Sequence, residues 1–176
     1  MPVPSDIDGR IAQGWGGLKP NGVHVNVILA RRGSPTAAGM TNVYATPSPG
    51  FTPILVSAGV DQPSYETINP PTILLNKSAP TSAFIETLIF GAVTVGTGQA
   101  VLDSVADGLL AADQESVVFV SVWVDSDATD ETAIRHAARQ AVRAGIREAV
   151  EGRVPGAAQA LVDSRETITH PFYGGE

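Results

Sequence analysis

Residues 116–124 constrain the fold of this chain more than any other segment, because β-branched and aromatic side chains are crowded together there. Such side chains pack well on a pleated surface, and a strand that is apolar on both faces belongs in the interior of a sheet. After Asp125-Ser126-Asp127, apolar residues recur at three- and four-residue steps, at Ile134, Ala138, Ala141, Val142 and Ile146. That spacing predicts an amphipathic helix, which should end near Gly152. A buried strand followed by a long helix predicts a sheet covered by helices.

Residues 23–29 show the alternation of a half-buried strand. One set of side chains is purely apolar, namely Val23, Val25, Val27 and Leu29, and the other set comprises His24, Asn26 and Ile28. Alternate residues of a strand point to the same face, so His24 and Asn26 are expected to point the same way, ~7 Å apart. The strand therefore presents two polar groups in succession on one face.

Caps and breakers predict the elements that follow this strand. Ser34-Pro35 combines a capping oxygen with a proline at the first helical position, which predicts a helix from about Pro35 to Ala45. Residues 54–58 and 72–77 are predicted to form two further strands, on either side of a polar loop that contains prolines.

Two more segments complete the predicted architecture. A helical stretch opens at Pro80, with an interruption expected around Gly91 to Gly98 before it resumes as far as Leu109. The C-terminal tail, with Val162 and Ile168, is expected to add a strand. The chain is then one domain, residues 1–176, of α+β class, a two-layer sandwich in which helices cover one face of a single mixed sheet.

Composition excludes several classes of protein. The chain has 176 residues, 43% of them apolar and 16% charged, which places it on the folded side of the boundary between globular and disordered sequences. Its net charge of −7 argues against a nucleic-acid partner, since such binding depends on clustered cations. The absence of cysteine excludes disulfides, thiolate nucleophiles and iron–sulfur clusters.

The expected location is the cytoplasm. The opening MPVPSDIDGR carries acids and prolines where a secretory signal has a basic start and an apolar stretch. The longest apolar run, VVFVSVWV, is far shorter than the roughly 20 residues that a membrane helix needs, so no membrane partner is expected.

His24 and Lys77 are the first candidates for chemistry. A titratable imidazole beside the orienting amide of Asn26 is a plausible acid–base site, although a lone histidine on a strand is more often a satisfied structural residue. Lys77 ends an apolar strand, where its stem can pack and its ammonium can reach a cleft, and a solvated lysine at a strand end is the alternative.

Other charged motifs have simpler explanations. Arg32-Gly33-Ser34-Pro35 suits an anion at a helix N-terminus and equally an ordinary capped turn. Arginines recur every four residues along the long helix, which favours a solvated face paired with acids such as Glu131. The histidines are far apart and lack the helical pairing of a zinc site, so no metal is predicted.

Several short motifs follow one another in a characteristic order along nearly the whole chain. They are the histidine strand with Arg32-Gly33-Ser34-Pro35, then Gly50-Phe51-Thr52, Asn76-Lys77, Phe90-Gly91 and Thr169-His170-Pro171-Phe172. In this order and spacing, with small insertions, the chain resembles the formaldehyde-activating enzymes.

The resemblance implies an activity, a fold and an assembly. Members of that family condense formaldehyde with tetrahydromethanopterin to the methylene derivative and water, and they are classed as hydro-lyases. Their fold is similar to the second domain of ribosomal protein S5, and they form homopentamers that bind the pterin between subunits. For this chain it implies a reduced pterin as co-substrate, no covalently bound cofactor, and a homo-oligomer, expected to be a pentamer.

The resemblance also implies roles for particular residues. The catalytic histidine of the family falls on His24, and the pterin-contacting positions fall on Asn26, Leu55, Lys77, Ala79 and Thr94. Asn26 replaces an aspartate, Ala79 a threonine and Thr94 a glutamine. Asparagine brings a donor and no charge, so the change at Asn26 weakens both pterin N–H recognition and protonation of the neighbouring histidine.

Three functions are compatible with these residues. The leading hypothesis is an enzyme that condenses formaldehyde with a tetrahydromethanopterin-like carrier, with His24 as the acid. The second is a divergent homologue that uses another amine or thiol carrier. The third is a non-catalytic ring-forming protein that binds a pterin or an aldehyde adduct.

Overall fold

Seven strands and five helices are arranged along residues 6–46 and 48–175, which a computed structural model of the protein describes. The strands are β1 (Arg10–Gly16), β2 (Val23–Arg31), β3 (Ile54–Leu55), β4 (Ser57–Ala58), β5 (Glu66–Thr67), β6 (Thr72–Asn76) and β7 (Ser116–Val124). The helices are α1 (Pro35–Ala45), α2 (Ala83–Leu88), α3 (Thr94–Ala106), α4 (Glu131–Glu151) and α5 (Ala157–Asp163).

The main sheet is mixed and has the order β1-β2-β7-β6-β3. Neighbouring strands are antiparallel except β6 and β7, which run parallel. β7 lies at the centre, as its uninterrupted apolar character predicts. The predicted α+β class with one mixed sheet is confirmed, and the likeness to ribosomal protein S5 stays a prediction.

A layer of helices covers one face of this sheet. α4 crosses β1 and β2, and α3 packs alongside α4. The predicted apolar side of β2, represented by Val25 and Val27, is fully buried beneath these helices. This packing forms the main core, so the side chains that alternate with Val25 and Val27 face the other way.

The opposite face, called the open face below, carries α1 at one end and is contacted by Phe172 of the C-terminal tail at Trp123. Ala37 is buried there with Phe119, and Met40 and Ile28 pack against them. Ser34 caps α1 through its hydroxyl, which accepts a hydrogen bond from the Ala37 N–H at 3.0 Å. The helix is the one predicted from Ser34-Pro35, but it covers part of the face that was expected to be free of helices.

β1 is a strand that the sequence analysis missed, because glycine has a low strand propensity and occurs there at Gly14 and Gly16. Both glycines face α4 so closely that a Cβ atom at Gly14 would overlap the carbonyl of Ala141. The missing side chains let the helix lie directly on the edge of the sheet.

The predicted interruption at residues 91–98 is wrong. A π-helical turn, Ile89–Val93, joins α2 to α3, and the helix continues through Gly96 and Gly98. Gly96 lies against the backbone of Arg135, so its missing side chain allows α3 and α4 to pack closely and does not break the helix. The whole segment Ala83–Ala106 is long and apolar enough to cross a membrane, but 61% of its most apolar window is buried inside the protein, as in a core helix.

Two other strand predictions also differ from the structure. Residues 54–58 form two short strands that belong to different sheets, since β3 pairs with β6 and β4 pairs with β5. The tail contains α5 and a 3-10 turn, Arg165–Thr167, in place of the strand predicted around Val162 and Ile168. The good helix formers alanine, glutamine and leucine in α5 account for this outcome.

Candidate functional site

The open face of the sheet presents its side chains in rows that run across the strands. In one row Trp15 of β1 pairs with His24 of β2, which pairs in turn with Trp123 of β7. The next row holds Gln13, Asn26 and Ser121. His24 and Asn26 therefore point to one face, as the alternation in β2 predicts.

Lys77 reaches this surface from the end of β6. Its backbone N–H donates to the carbonyl of Val122 at 2.6 Å, which extends the parallel pairing by one residue and places Lys77 beside Trp123. From there its Nζ atom lies 2.7 Å from Nδ1 of His24. The strand order brings together two residues that are 53 positions apart in the chain.

The imidazole of His24 is held at both ring nitrogens. Nδ1 contacts Lys77, and Nε2 lies 2.9 Å from Oε1 of Gln13. An ammonium group can only donate, so Nδ1 accepts when Lys77 is charged, and the ring proton is then on Nε2, which donates to Gln13. The contacts fix both the orientation and the tautomer of the ring.

Burial disfavours the charged forms of both Lys77 and His24. It lowers the pKa of Lys77 from 10.5 to about 8. Burial is also the largest cause that lowers the pKa of His24, followed by the charges of Lys77 and His170. Since two cations in contact repel each other, the pair holds one proton more readily than two.

A cluster of aromatic rings lies beside His24. Trp15 and Trp123 stack with ring centroids 5.9 Å apart, and Trp15 lies 6.0 Å from His24. Phe172 of the C-terminal tail lies edge-on to Trp123, with ring centroids 6.4 Å apart. The ring of His170 is tilted relative to that of Phe172, with centroids 5.5 Å apart. These rings form an apolar wall that is suited to a planar ligand.

Gln13, Trp15 and Trp123 belong to this site, although the sequence does not predict them as site residues. Gln13 and Trp15 belong to β1, which its glycines make hard to predict, and Trp123 lies in a strand that is predicted to be buried. The signal that could have found them is the spacing of Ile11, Gln13 and Trp15, which places three large side chains on one face.

The structure places four of the six predicted site residues on the open face. Besides His24 and Lys77, Asn26 borders a small cavity of about 40 Å³ between the sheet and α1, together with Tyr44 and Ser121. Leu55 pairs with Ile73 at the edge of the sheet and is 42% exposed.

The other two predicted residues lie elsewhere. Ala79 is exposed and lies against Gly50. Thr94 is in α3, on the far side of the sheet, where its hydroxyl donates to the Ile89 carbonyl at 3.0 Å. Within a single chain Thr94 does not meet His24, so its role as a pterin contact stays a prediction that a second subunit would have to satisfy.

Three of the four arginines in the stripe of α4 are paired with acids, as expected for a solvated face, and Arg135 bonds to Gln99. Arg139 makes a two-pronged contact with Asp103 at 2.6 and 2.7 Å, and Arg143 and Arg147 both contact Asp107. Asp103 lies in α3 and Asp107 follows its last residue, whereas Glu131 was named as an expected partner. Arg32 pairs with Glu115 at 2.8 Å. No cluster of three or more histidine or acidic side chains that could hold a metal occurs among residues 6–46 and 48–175.

The fold and this face define an α+β protein with a histidine–lysine pair on the side of its sheet opposite to α3 and α4. The sequence model of the formaldehyde-activating enzyme (Fae) matches residues 15–173. The chain belongs to the formaldehyde-activating enzyme family.

Curated relatives agree with this assignment. The 5,6,7,8-tetrahydromethanopterin hydro-lyase of Methanosarcina barkeri is 32% identical over 172 residues, which cover 97% of this chain and 93% of the relative. The bifunctional enzyme Fae/Hps of Methanothrix thermoacetophila is 27% identical over 90% of this chain, and that of Archaeoglobus fulgidus is 28% identical over 86%. The chain matches only 39% and 37% of the length of these two bifunctional proteins.

Proposed function

We propose that this protein condenses formaldehyde with a reduced pterin of the tetrahydromethanopterin type, giving the methylene adduct and water, with His24 as the acid. The observation that carries the proposal is the position of His24, which is held between Lys77 and Gln13 on the open face of a family member. The name of the Methanosarcina barkeri relative supplies the carrier and the class of reaction.

The geometry supports a simple sequence of steps. An amine of the carrier attacks formaldehyde and gives a carbinolamine. Protonated His24 donates a proton to the hydroxyl, which departs as water, and the second amine of the carrier closes the ring onto the iminium. Because the pKa of His24 is lowered, the ring needs a nearby proton source, and the ammonium of Lys77 is in contact with it.

The direct test is the rate at which formaldehyde disappears in the presence of tetrahydromethanopterin, corrected for the spontaneous reaction. A protein-dependent rate that saturates with the carrier supports the proposal. A rate that never exceeds background with this pterin, with tetrahydrofolate or with a thiol would refute any condensing function and favour the non-catalytic alternative, a protein that binds a pterin or an aldehyde adduct.

Asn26 and Ala79 favour a second candidate, a homologue with a different carrier. Asn26 lies on the open face beside the row of His24, where the family has an aspartate, and Ala79 offers no hydroxyl. Each lost buried hydrogen bond weakens binding by about 1–3 kcal/mol. Calorimetry with tetrahydromethanopterin and tetrahydrofolate distinguishes the two candidates, because only the second predicts weak binding of the methanopterin.

A homopentamer that assembles in the cytoplasm completes the proposal. Large apolar side chains are exposed along β1 and the turn after it, with Ile11 66%, Trp15 50% and Leu18 84% exposed, which is consistent with a subunit contact. Light scattering should give a mass near five times the 18.2 kDa subunit. A monomer at micromolar concentration would contradict this assembly.

A further inference from the structure

Lys77 is one of only two lysines in the sequence, and the two lie in very different surroundings. Lys19 is exposed in the turn after β1. Lys77 is half-buried, its nitrogen contacts the imidazole of His24, and none of the ion pairs among residues 6–46 and 48–175 involves it. A charged lysine is normally placed against a carboxylate or in water, so this position calls for a different explanation.

We propose that Lys77 is a nucleophile that captures formaldehyde covalently, as a lysine iminium, and that His24 supplies the proton for this step. The inference rests on the proposed aldehyde chemistry and replaces its first step, the direct attack of the carrier on formaldehyde, with a covalent intermediate on Lys77. The carbon is bonded to the protein before it is bonded to the carrier, so Lys77 is a catalytic residue in its own right.

The contact between Lys77 and His24 lets this reaction balance within the pair. A proton passes from the Lys77 ammonium to Nδ1 of His24, which leaves a neutral amine beside an imidazolium. The amine attacks the carbonyl carbon, and a proton shift from nitrogen to oxygen gives the carbinolamine. The imidazolium then protonates the hydroxyl, the C–O bond breaks and water leaves. One ammonium and one formaldehyde have become one iminium and one water, with no change in net charge.

Transfer to the carrier regenerates the pair. A carrier amine attacks the iminium carbon, and a proton then shifts from the carrier nitrogen to the Lys77 nitrogen. The C–N bond to Lys77 breaks, so that the lysine leaves as a neutral amine and the carrier holds the iminium. The second carrier amine closes the ring and releases a proton, which Lys77 takes up. No oxidant, reductant or metal is required at any step.

The surroundings of Lys77 favour its reactive form. Burial lowers its pKa to about 8, and near pH 7 an amine with that pKa is neutral on the order of 100-fold more often than an ordinary lysine at ≈ 10.4. Desolvation next to a second cationic group is a general way to activate a lysine toward carbonyl carbon. Its Nζ atom is also within hydrogen-bonding distance of the proton donor that dehydration needs.

Reductive trapping tests the proposal without any pterin. Wild-type protein is treated near neutral pH with formaldehyde and sodium cyanoborohydride, which reduces an iminium to an N-methyl amine, and samples are stopped at short intervals. Peptide mass spectrometry then follows methylation at Lys77 and Lys19 in the same molecule. Because a much larger fraction of Lys77 than of Lys19 is a neutral amine, methylation of Lys77 should be at least about tenfold faster than that of Lys19.

Variants test whether rapid methylation of Lys77 depends on its contact with His24. His24→Gln should slow methylation of Lys77 severalfold and leave that of Lys19 unchanged, because the proton donor is lost. Lys77→Arg keeps the positive charge but offers no amine, so carrier-dependent turnover should fall even though the protein folds. Lys19→Arg is the matched control and should alter neither turnover nor methylation of Lys77.

The outcomes separate this proposal from the proposed function. If Lys77 in the wild-type protein is methylated no faster than Lys19, the covalent intermediate is refuted, and turnover with a pterin would still uphold the condensation. If Lys77 is trapped rapidly but no carrier gives turnover, covalent capture is supported and the pterin-condensing function fails. Full turnover by a folded Lys77→Arg protein would also overturn the covalent route.

Discussion

Oε1 of Gln13 lies 2.9 Å from Nε2 of His24, on the side of the ring opposite to Lys77. Gln13 and His24 lie in neighbouring rows of the antiparallel strands β1 and β2, so they are diagonal neighbours on the same face. Gln13 thereby opposes rotation of the imidazole away from the lysine. It is a positioning residue for His24, and its own position depends on a strand that lies directly on α4.

Loss of the Gln13 amide should therefore weaken the reaction without abolishing it. A hydrogen bond of this kind contributes about 0.5–1.5 kcal/mol, so Gln13→Leu should lower kcat by roughly two- to tenfold. Gln13→Glu places a carboxylate against the ring and should raise the pKa of His24, since an opposite charge favours the cation. NMR titration of the imidazole measures this shift, and a pKa that does not move would show that the contact is absent in solution.

His24 should matter far more than the other histidines. General acid catalysis typically contributes 10²–10⁴-fold, so His24→Ala should reduce the protein-dependent rate of formaldehyde loss within about that range while its melting temperature stays close to that of the wild type. His136 bonds to the guanidinium of Arg135 on the far side of the sheet, so His136→Ala is a matched control that should keep its rate. His170→Ala should cost less than His24→Ala. Full activity of His24→Ala would disprove its role as the acid.

Burial of Lys77 should be visible in the pH dependence of stability. Its pKa is lowered from 10.5 in the unfolded chain to about 8 in the folded protein, so between these values the unfolded chain binds more protons and the free energy of unfolding rises with pH. Lys77→Met lacks this contribution. Urea titrations at about pH 7 and about pH 9.5 should show wild-type stability rising relative to that of the variant. If the difference in free energy of unfolding between the wild type and Lys77→Met stays constant with pH, or changes in the opposite direction, folding does not lower the pKa of Lys77.

The sequence predicted the parts of the site but not their assembly. Alternation in β2 was sufficient to place His24 and Asn26 on one face, because strand geometry is local. The contact between His24 and Lys77 depends on β7 lying between β2 and β6, and strand order is a tertiary property that no local pattern encodes. Family resemblance named both residues, and only the structure shows that they touch.

Glycine accounts for two errors of prediction, the unpredicted strand β1 and the helix interruption expected at residues 91–98. In both places packing against a neighbouring element sets the role of the glycine. Gly14 lies in β1 because a helix backbone rests on it, and Gly96 lies within α3 because α4 crosses there. From the sequence alone both positions resemble breakers. In each case a close contact with a distant segment overrides the local preference.

The closest of these contacts predicts a large effect on stability. Gly14→Ala should destabilise the protein by about 1–3 kcal/mol or more, because the new methyl group overlaps the carbonyl of Ala141. Gly39 is the control, since it is exposed in α1 with open space around its Cβ position. Gly39→Ala should instead stabilise by about 0.5–1 kcal/mol. Equal effects in chemical denaturation would mean that α4 does not rest on β1.

Asn26 offers the sharpest test of how this protein differs from the usual family member. Asn26→Asp restores an acceptor and a negative charge on the open face, so affinity for tetrahydromethanopterin should rise by about 1–3 kcal/mol per recovered hydrogen bond. The same carboxylate, ~7 Å from His24 along β2, should raise the pKa of that histidine and shift the pH profile of the rate upward. Asn42→Asp, at an exposed position of α1, adds the same charge without changing β2 and serves as the control. Calorimetry that finds no gain for Asn26→Asp, or an equal gain for both variants, would show that this position does not select the carrier.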